Sequence, residues 1–126
     1  LNNRKIGTRY EELARDYLIS NGIKVITMNY HFHKFGEIDI IYYDTVMEDG
    51  NLKNYLCFGE VKYRKNKASV SAVEAVDYKK RKNISKVAIG YIKENNISLN
   101  HPMRFDIIAI DEDNINWIKN AFFCVF

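Results

Sequence analysis

The sequence has one proline, six glycines and two cysteines among 126 residues, and each shortage excludes something. So little Pro and Gly rules out collagen-like and low-complexity chains, and 13% aromatic residues argue against disorder. Cys57 and Cys124 stand far apart and match no metal or redox spacing, so they are expected as buried thiols in a reducing compartment, the cytoplasm. No apolar run approaches the roughly 20 residues of a membrane span. No apolar stretch follows Leu1-Asn2-Asn3-Arg4-Lys5, and no signal peptide is expected. Neither a Ser-His-Asp arrangement nor a glycine-rich phosphate loop is visible, which argues against nucleophilic-serine and P-loop chemistry. His31 and His33 alternate on a possible strand, but they lack a third ligand at zinc spacing.

What is present is 47% hydrophobic residues in a chain of one domain's length. That suffices for a core burying roughly two-thirds of the unfolded chain's surface. A single domain over 1–126 is expected. The net charge of +3 hides an asymmetry. From Lys62 to Lys86, nine Lys and Arg face only Glu74 and Asp77, a local excess of +7. The remainder holds ten basic and fourteen acidic residues. Such a block is either a solvated helix face or a footprint for a polyanion.

Hydrophobic periodicity predicts the elements. Tyr10, Leu13, Ala14, Tyr17 and Leu18 recur at helical spacing over about Arg4 to Asn21, and Asn21-Gly22 is a stop signal. Ile23 to Met28 reads as a short strand. Ile38 to Val46 and Tyr55 to Tyr63 read as strands of a hairpin turning at Asp49-Gly50. Ser71-Ala72-Val73-Glu74 matches a capping box opening a long helix to about Asn95. Strands are expected at Phe105 to Ile110 and Ile115 to Lys119, with the apolar tail Ala121 to Phe126 docked on the core. The order α-β-β-β-α-β-β makes an α/β fold, a mixed sheet flanked by helices.

A few polar residues sit where the pattern calls for apolar ones. Glu60 and Lys62 project from one strand face, about 6–7 Å apart. If Glu48 pairs with Asn51, the register places Asp39 directly opposite Glu60. Two carboxylates so placed repel, with Cβ atoms about 5 Å apart. A proton, Lys62 or a divalent metal would offset that. In the last case Asp39, Glu60 and the Val61 carbonyl form a partial Mg²⁺ site, with Lys62 beside it to act on an attacking water. Otherwise the set is an ordinary polar sheet face. Glu11 lies at the edge of the first helix's apolar stripe. Lys80 lies within that of the second, where a lysine either snorkels outward or faces a buried anion site.

Read together, Tyr10-Glu11-Glu12-Leu13-Ala14, Gly36-Glu37-Ile38-Asp39, Glu60-Val61-Lys62-Tyr63-Arg64, Arg104-Phe105-Asp106 and Trp117-Ile118-Lys119-Asn120-Ala121-Phe122 resemble the YraN family. Those small bacterial proteins are relatives of the PD-(D/E)XK nucleases, and the layout also looks like that of the archaeal Holliday-junction resolvases. The resemblance implies a restriction-endonuclease-like core and a Mg²⁺ or Mn²⁺ site for phosphodiester cleavage, in branched or damaged DNA. On that mapping Asp39 and Glu60 would be metal ligands, Lys62 the catalytic lysine and Glu11 a third acidic residue. Lys80 falls where the family often has a basic residue. Two departures stand out. Ile38 precedes Asp39 where the superfamily name expects proline, and the hairpin carries extra residues around Tyr43 to Asn54 that could lie over the site.

The expected function is therefore a divalent-metal-dependent nuclease, with Arg64, Lys65, Lys67, Lys79, Lys80, Arg81 and Lys82 neutralising phosphates. Against it stand a catalytically silent nucleic-acid-binding module on the same fold and a protein–protein adaptor. A homodimer would suit a two-strand cutter, though nothing in the sequence requires it.

Overall fold

The computed structural model describes residues 3–64, 71–112 and 114–125, with side chains from Ile6 onward. Lys65 and Lys67 fall outside the described residues. Helix α1 (Asn3–Ser20) leads into strand β1 (Lys24–His31), one 3-10 turn (His33–Phe35), β2 (Glu37–Glu48), β3 (Asn51–Arg64), helix α2 (Tyr78–Glu94), β4 (Met103–Asp111) and β5 (Asn114–Phe122). The strands form one sheet in chain order. All neighbours are antiparallel except β3 and β4, which run parallel with α2 in their crossover.

Each face of the sheet buries one helix. Ala14 and Leu18 of α1 pack on Ile40, Tyr42, Cys57, Ile108 and Ile110. Ile84, Val87, Ala88 and Tyr91 of α2 pack on Ile41, Phe58, Phe105 and Ile107. Alternation separates these two sets from Ile40 onward along β2, but Ile38 packs with the α2 set and Ile40 with the α1 set, so the period breaks at Asp39. No described helix is long and apolar enough to cross a membrane.

The expected order of elements is the observed one, with local corrections. The hairpin register is as read, with Glu48 opposite Asn51 and the ladder continuing to Ile40 opposite Gly59. Its outer part, however, points away from Asp39 and Glu60. Past Tyr43 and Leu56 the two strands pair only with each other, and the turn lies nine pairs from Gly59, about 30 Å by strand rise. The extra residues around Tyr43 to Asn54 therefore do not cover Asp39 and Glu60.

The second helix starts at Tyr78 rather than Ser71. Ser71 Oγ does accept the Glu74 amide at 3.1 Å, but this closes only an isolated turn. The Val76 and Val73 carbonyls are taken by the Arg81 guanidinium at 2.7 and 3.1 Å, and Asp77 caps the true helix by accepting the Lys80 amide at 2.9 Å. At the other end, β5 runs to Phe122. That residue is buried, whereas Phe123 is exposed and Val125 bonds Ser85 of α2 at 2.9 Å. Both cysteines are free. Cys57 is buried and burial pushes its thiol far up, while Cys124 is only half-buried.

Candidate functional site

The site forms where β2 and β3 part. Beyond Ile40 and Gly59, β2 keeps β1 as its neighbour and β3 keeps β4, leaving a cleft between the two strands. Parting leaves the Val61 amide without a partner on β2, and Asp39 Oδ2 accepts it at 2.8 Å. Gly59 makes the approach possible. A Cβ there would lie 2.8 Å from Ile40 Cγ2 and 3.0 Å from both the Ile108 side chain and the Tyr42 ring.

Asp39 and Glu60 are both buried, at 8% and 6% exposure. Burial, the Glu60 carboxylate beside it, a side-chain hydrogen bond with that carboxylate and the more distant Glu11 push the Asp39 carboxyl well above the usual range, against the pull of the Val61 amide. Glu60 Oε2 is enclosed and has no hydrogen-bond donor among the described residues. Glu60 Oε1 lies 3.8 Å from Lys80 Nζ, so the lysine within the apolar stripe of α2 does face this carboxylate. Lys62, two residues along β3, is half-buried and forms no ion pair with any described residue.

Helix α1 brings a further carboxylate. One oxygen each from Glu11, Glu37 and Asp39 lie within 4.8 Å of one another. Asn29 of β1, in the left-handed region at φ 52°, donates its amide to Glu11 Oε1 at 2.9 Å and so sets that side chain's direction. His31 Nε2 lies 2.8 Å from Glu37 Oε2. Gly7, Thr8, Glu11, Asn29, His31 and Glu37 line a cavity of about 330 Å³ beside these groups. An all-oxygen, anionic donor set of this kind fits a hard divalent cation such as Mg²⁺ or Mn²⁺. Glu60 is not one of that trio, and its enclosed Oε2 lies outside the set of oxygens that come within 4.8 Å of one another.

The structure thus brings Glu11, Asp39, Glu60, Val61 and Lys80 into one neighbourhood, with Lys62 two residues along β3 from Glu60. It adds Glu37, Asn29 and His31, which the sequence pattern alone does not single out as site residues. Glu37 had a usable signal, since it stands two residues before Asp39 on one strand, the spacing that linked Glu60 to Lys62. The basic residues divide. Lys79, Lys80 and Lys82 stand exposed in the first turn of α2, whereas the Arg81 fork is turned inward on the Val76 and Val73 carbonyls. Arg64 is half-buried and donates to the Ser71 carbonyl at 2.9 Å.

A separate polar cluster lies on the α1 face toward the hairpin arm. Arg104 bonds Asp106 through two nitrogens, both at 2.8 Å, and Asp44 at 2.9 Å. Tyr42, Trp117 and the Asn120 amide also donate to Asp106, and Lys119 pairs with Asp44 at 3.0 Å. Every carboxylate oxygen of Asp106 is satisfied, and its side chain is fully enclosed. This cluster is structural: it ties β4, β5 and β2 together and leaves no group free to act on a ligand.

Residues 10–110 match the model of the uncharacterised protein family UPF0102. A UPF0102 protein of Clostridioides difficile is 41% identical over 124 residues, covering 97% of this chain and 100% of the relative. One of Pseudoalteromonas translucida is 39% identical over 124 residues, covering 96% and 93%, and one of Francisella tularensis is 37% identical over 118 residues, covering 94% of each. With a family model spanning most of its length and relatives aligned nearly end to end, this chain belongs to the UPF0102 (YraN) family.

Proposed function

We propose that this protein is a divalent-metal-dependent nuclease, with Asp39, Glu60 and the Val61 carbonyl holding Mg²⁺ or Mn²⁺. The observation that carries the reading is the trio of Glu11, Glu37 and Asp39, whose oxygens lie within 4.8 Å of one another, with the buried Glu60 carboxylate next to Asp39. A buried carboxylate pair is costly while both groups are ionised, and a divalent cation would offset that more fully than the Lys80 ammonium 3.8 Å from Glu60 does. When bound, that cation supplies charge stabilisation at the phosphate oxygens. Lys62 orients the attacking water and offsets developing negative charge, and Glu11 and Glu37 complete the acidic wall. The sequence expects Arg64, Lys65 and Lys67 to join a phosphate track, the last two lying outside the described residues, and Lys79, Lys80 and Lys82 contact flanking phosphates. Their position supports this. Lys79, Lys80 and Lys82 stand exposed near the positive end of the α2 dipole, where Asp77 caps the helix and no acid follows within its first turn. A polyanion would add favourable negative charge there. The resemblance to junction resolvases directs the choice of substrate toward branched or damaged DNA.

The test is cleavage of duplex, single-stranded and four-way-junction DNA in Mg²⁺ and in Mn²⁺, by wild type and Glu60→Gln. Cleavage by wild type alone is expected. No cleavage of any substrate, or cleavage that survives Glu60→Gln, overturns the proposal. Replacing one phosphate-binding lysine by alanine should reduce the log–log salt slope of duplex binding by about 0.9.

One observation favours a second reading, a binding module without turnover. Lys80 Nζ at 3.8 Å gives Glu60 a resident counter-charge. That reading expects no Mn²⁺ uptake in a titration and DNA affinity unchanged by Asp39→Asn.

A further inference from the structure

Two tyrosines adjoin the acidic site in the chain and take no part in its chemistry. Tyr10 precedes Glu11 on α1, and Tyr63 follows Lys62 on β3. Successive strand residues face opposite ways, so Tyr63 stands on the α1 side of the sheet, paired with Ile110 of β4. There its ring stacks on Tyr10, with centroids 4.0 Å apart and planes 14° from parallel. Beside the stack is a cavity of about 370 Å³. Tyr10, Leu13, Ile110 and Ile115 make its apolar walls, and Arg9 and Glu112 are its charged lining.

We infer that this cavity receives an unpaired nucleobase of the strand whose backbone lies at Asp39 and Glu60. The inference rests on the nuclease reading and narrows it to substrates with at least one base out of the duplex. A flat ring among aliphatic side chains suits a planar heterocycle, and a cavity of this size accommodates one. A base inside a duplex cannot reach it without leaving the stack. Tyr63 holds the Tyr10 ring in plane, so little ordering is left for binding to impose. Arg9, exposed at the rim, is placed to meet the phosphate of the same nucleotide. Because every base has a π-face, recognition through Tyr10 is indifferent to sequence.

The experiment uses the full chain with Ca²⁺ in place of Mg²⁺ and an oligothymidine carrying one 2-aminopurine, whose emission falls on stacking against an aromatic ring. Wild type and Tyr10→Phe should quench the emission. Tyr10→Leu should lose the quenching and about thirtyfold in affinity, the middle of the range for one base–aromatic stack. Leu13→Trp, which fills the cavity from an exposed helix position, should do the same if thermal melting shows it folded. Blunt-duplex affinity should be equal in all four. Unchanged quenching and affinity in both Tyr10→Leu and Leu13→Trp overturn the base site. If Glu60→Gln still abolishes cleavage in that case, the nuclease reading stands without it. Failure of wild type to bind any oligonucleotide overturns both.

Discussion

Asp39 on β2 reaches across to accept the Val61 amide of β3 at 2.8 Å, one step past the last pair of their ladder. This bond marks the place where two strands that run together for nine pairs take different neighbours. It satisfies the amide that parting leaves bare, and it fixes a buried carboxylate beside Glu60. The cleft is thus made by sheet topology, with the acidic groups at its inner end.

Glu60→Gln should stabilise the metal-free protein while abolishing cation binding. The amide supplies a donor to Asp39 and removes the repulsion between two buried carboxylates that Lys80, 3.8 Å from Glu60, only partly offsets, a gain of about 1–2 kcal/mol. Urea denaturation in EDTA checks the first effect, and Mn²⁺ titration calorimetry checks the second. A destabilised Glu60→Gln variant would show that the carboxylate pair is already offset.

Stability should fall as pH rises through the Asp39 titration. Its folded-state pKa is raised, so the native state binds the proton more tightly than the unfolded chain does. The native state is therefore favoured at low pH, and that advantage is lost between the ordinary aspartate value near about 4 and the raised one. Asp44 works in the opposite sense. Burial alone would raise it, but hydrogen bonds from Arg104 and Lys119 hold it below the usual range, so its contribution is present at neutral pH and lost in acid. Asp39→Asn should flatten the first dependence and leave the second. Saturating Mn²⁺ should release a proton on binding and reverse the first.

Asp106→Ala should cost about 3–5 kcal/mol, because it leaves the Arg104 guanidinium buried without its bidentate partner. The equilibrium unfolding midpoint measures it. Since the cluster sits toward the hairpin arm, Mn²⁺ affinity of the folded variant should stay within about twofold of wild type.

Gly90→Ala should destabilise by about 1–3 kcal/mol even though alanine favours helix, because the new Cβ would meet the Phe32 ring at 2.5 Å. Phe32 leads into the 3-10 turn before Glu37. The variant should therefore also weaken cation binding if Glu37 shares in it, which the same calorimetric titration reads.

Much of this arrangement was legible in the residues. The Asp49-Gly50 turn and period-2 alternation set the hairpin register as read, but the ladder ends at Ile40 and Gly59, so Asp39 does not pair with Glu60 as expected and bonds the Val61 amide instead. The parting of the strands was not legible, because it depends on which neighbour each strand keeps. The start of α2 was misplaced for a similar reason. Ser71 and Glu74 do make a local cap, and the competitor for the next carbonyls is Arg81, a side chain from beyond the turn. The buried Asp106 cluster had a signal in Arg104 and Asp106, opposite charges two apart in an apolar strand. That spacing shows the two share a face but cannot name Tyr42, Asp44 or Trp117 as partners.

The cationic first turn of α2 has a consequence for local opening. Asp77 is the acidic group capping that turn, and Lys79, Lys80 and Lys82 oppose the positive end of the helix. Amides near Lys80 to Lys82 should therefore exchange with deuterated solvent well before those of Val87 to Tyr91, which are anchored in the core. A bound polyanion would slow the early group selectively. The rigidity of this turn would then depend on whether a polyanion is bound to it.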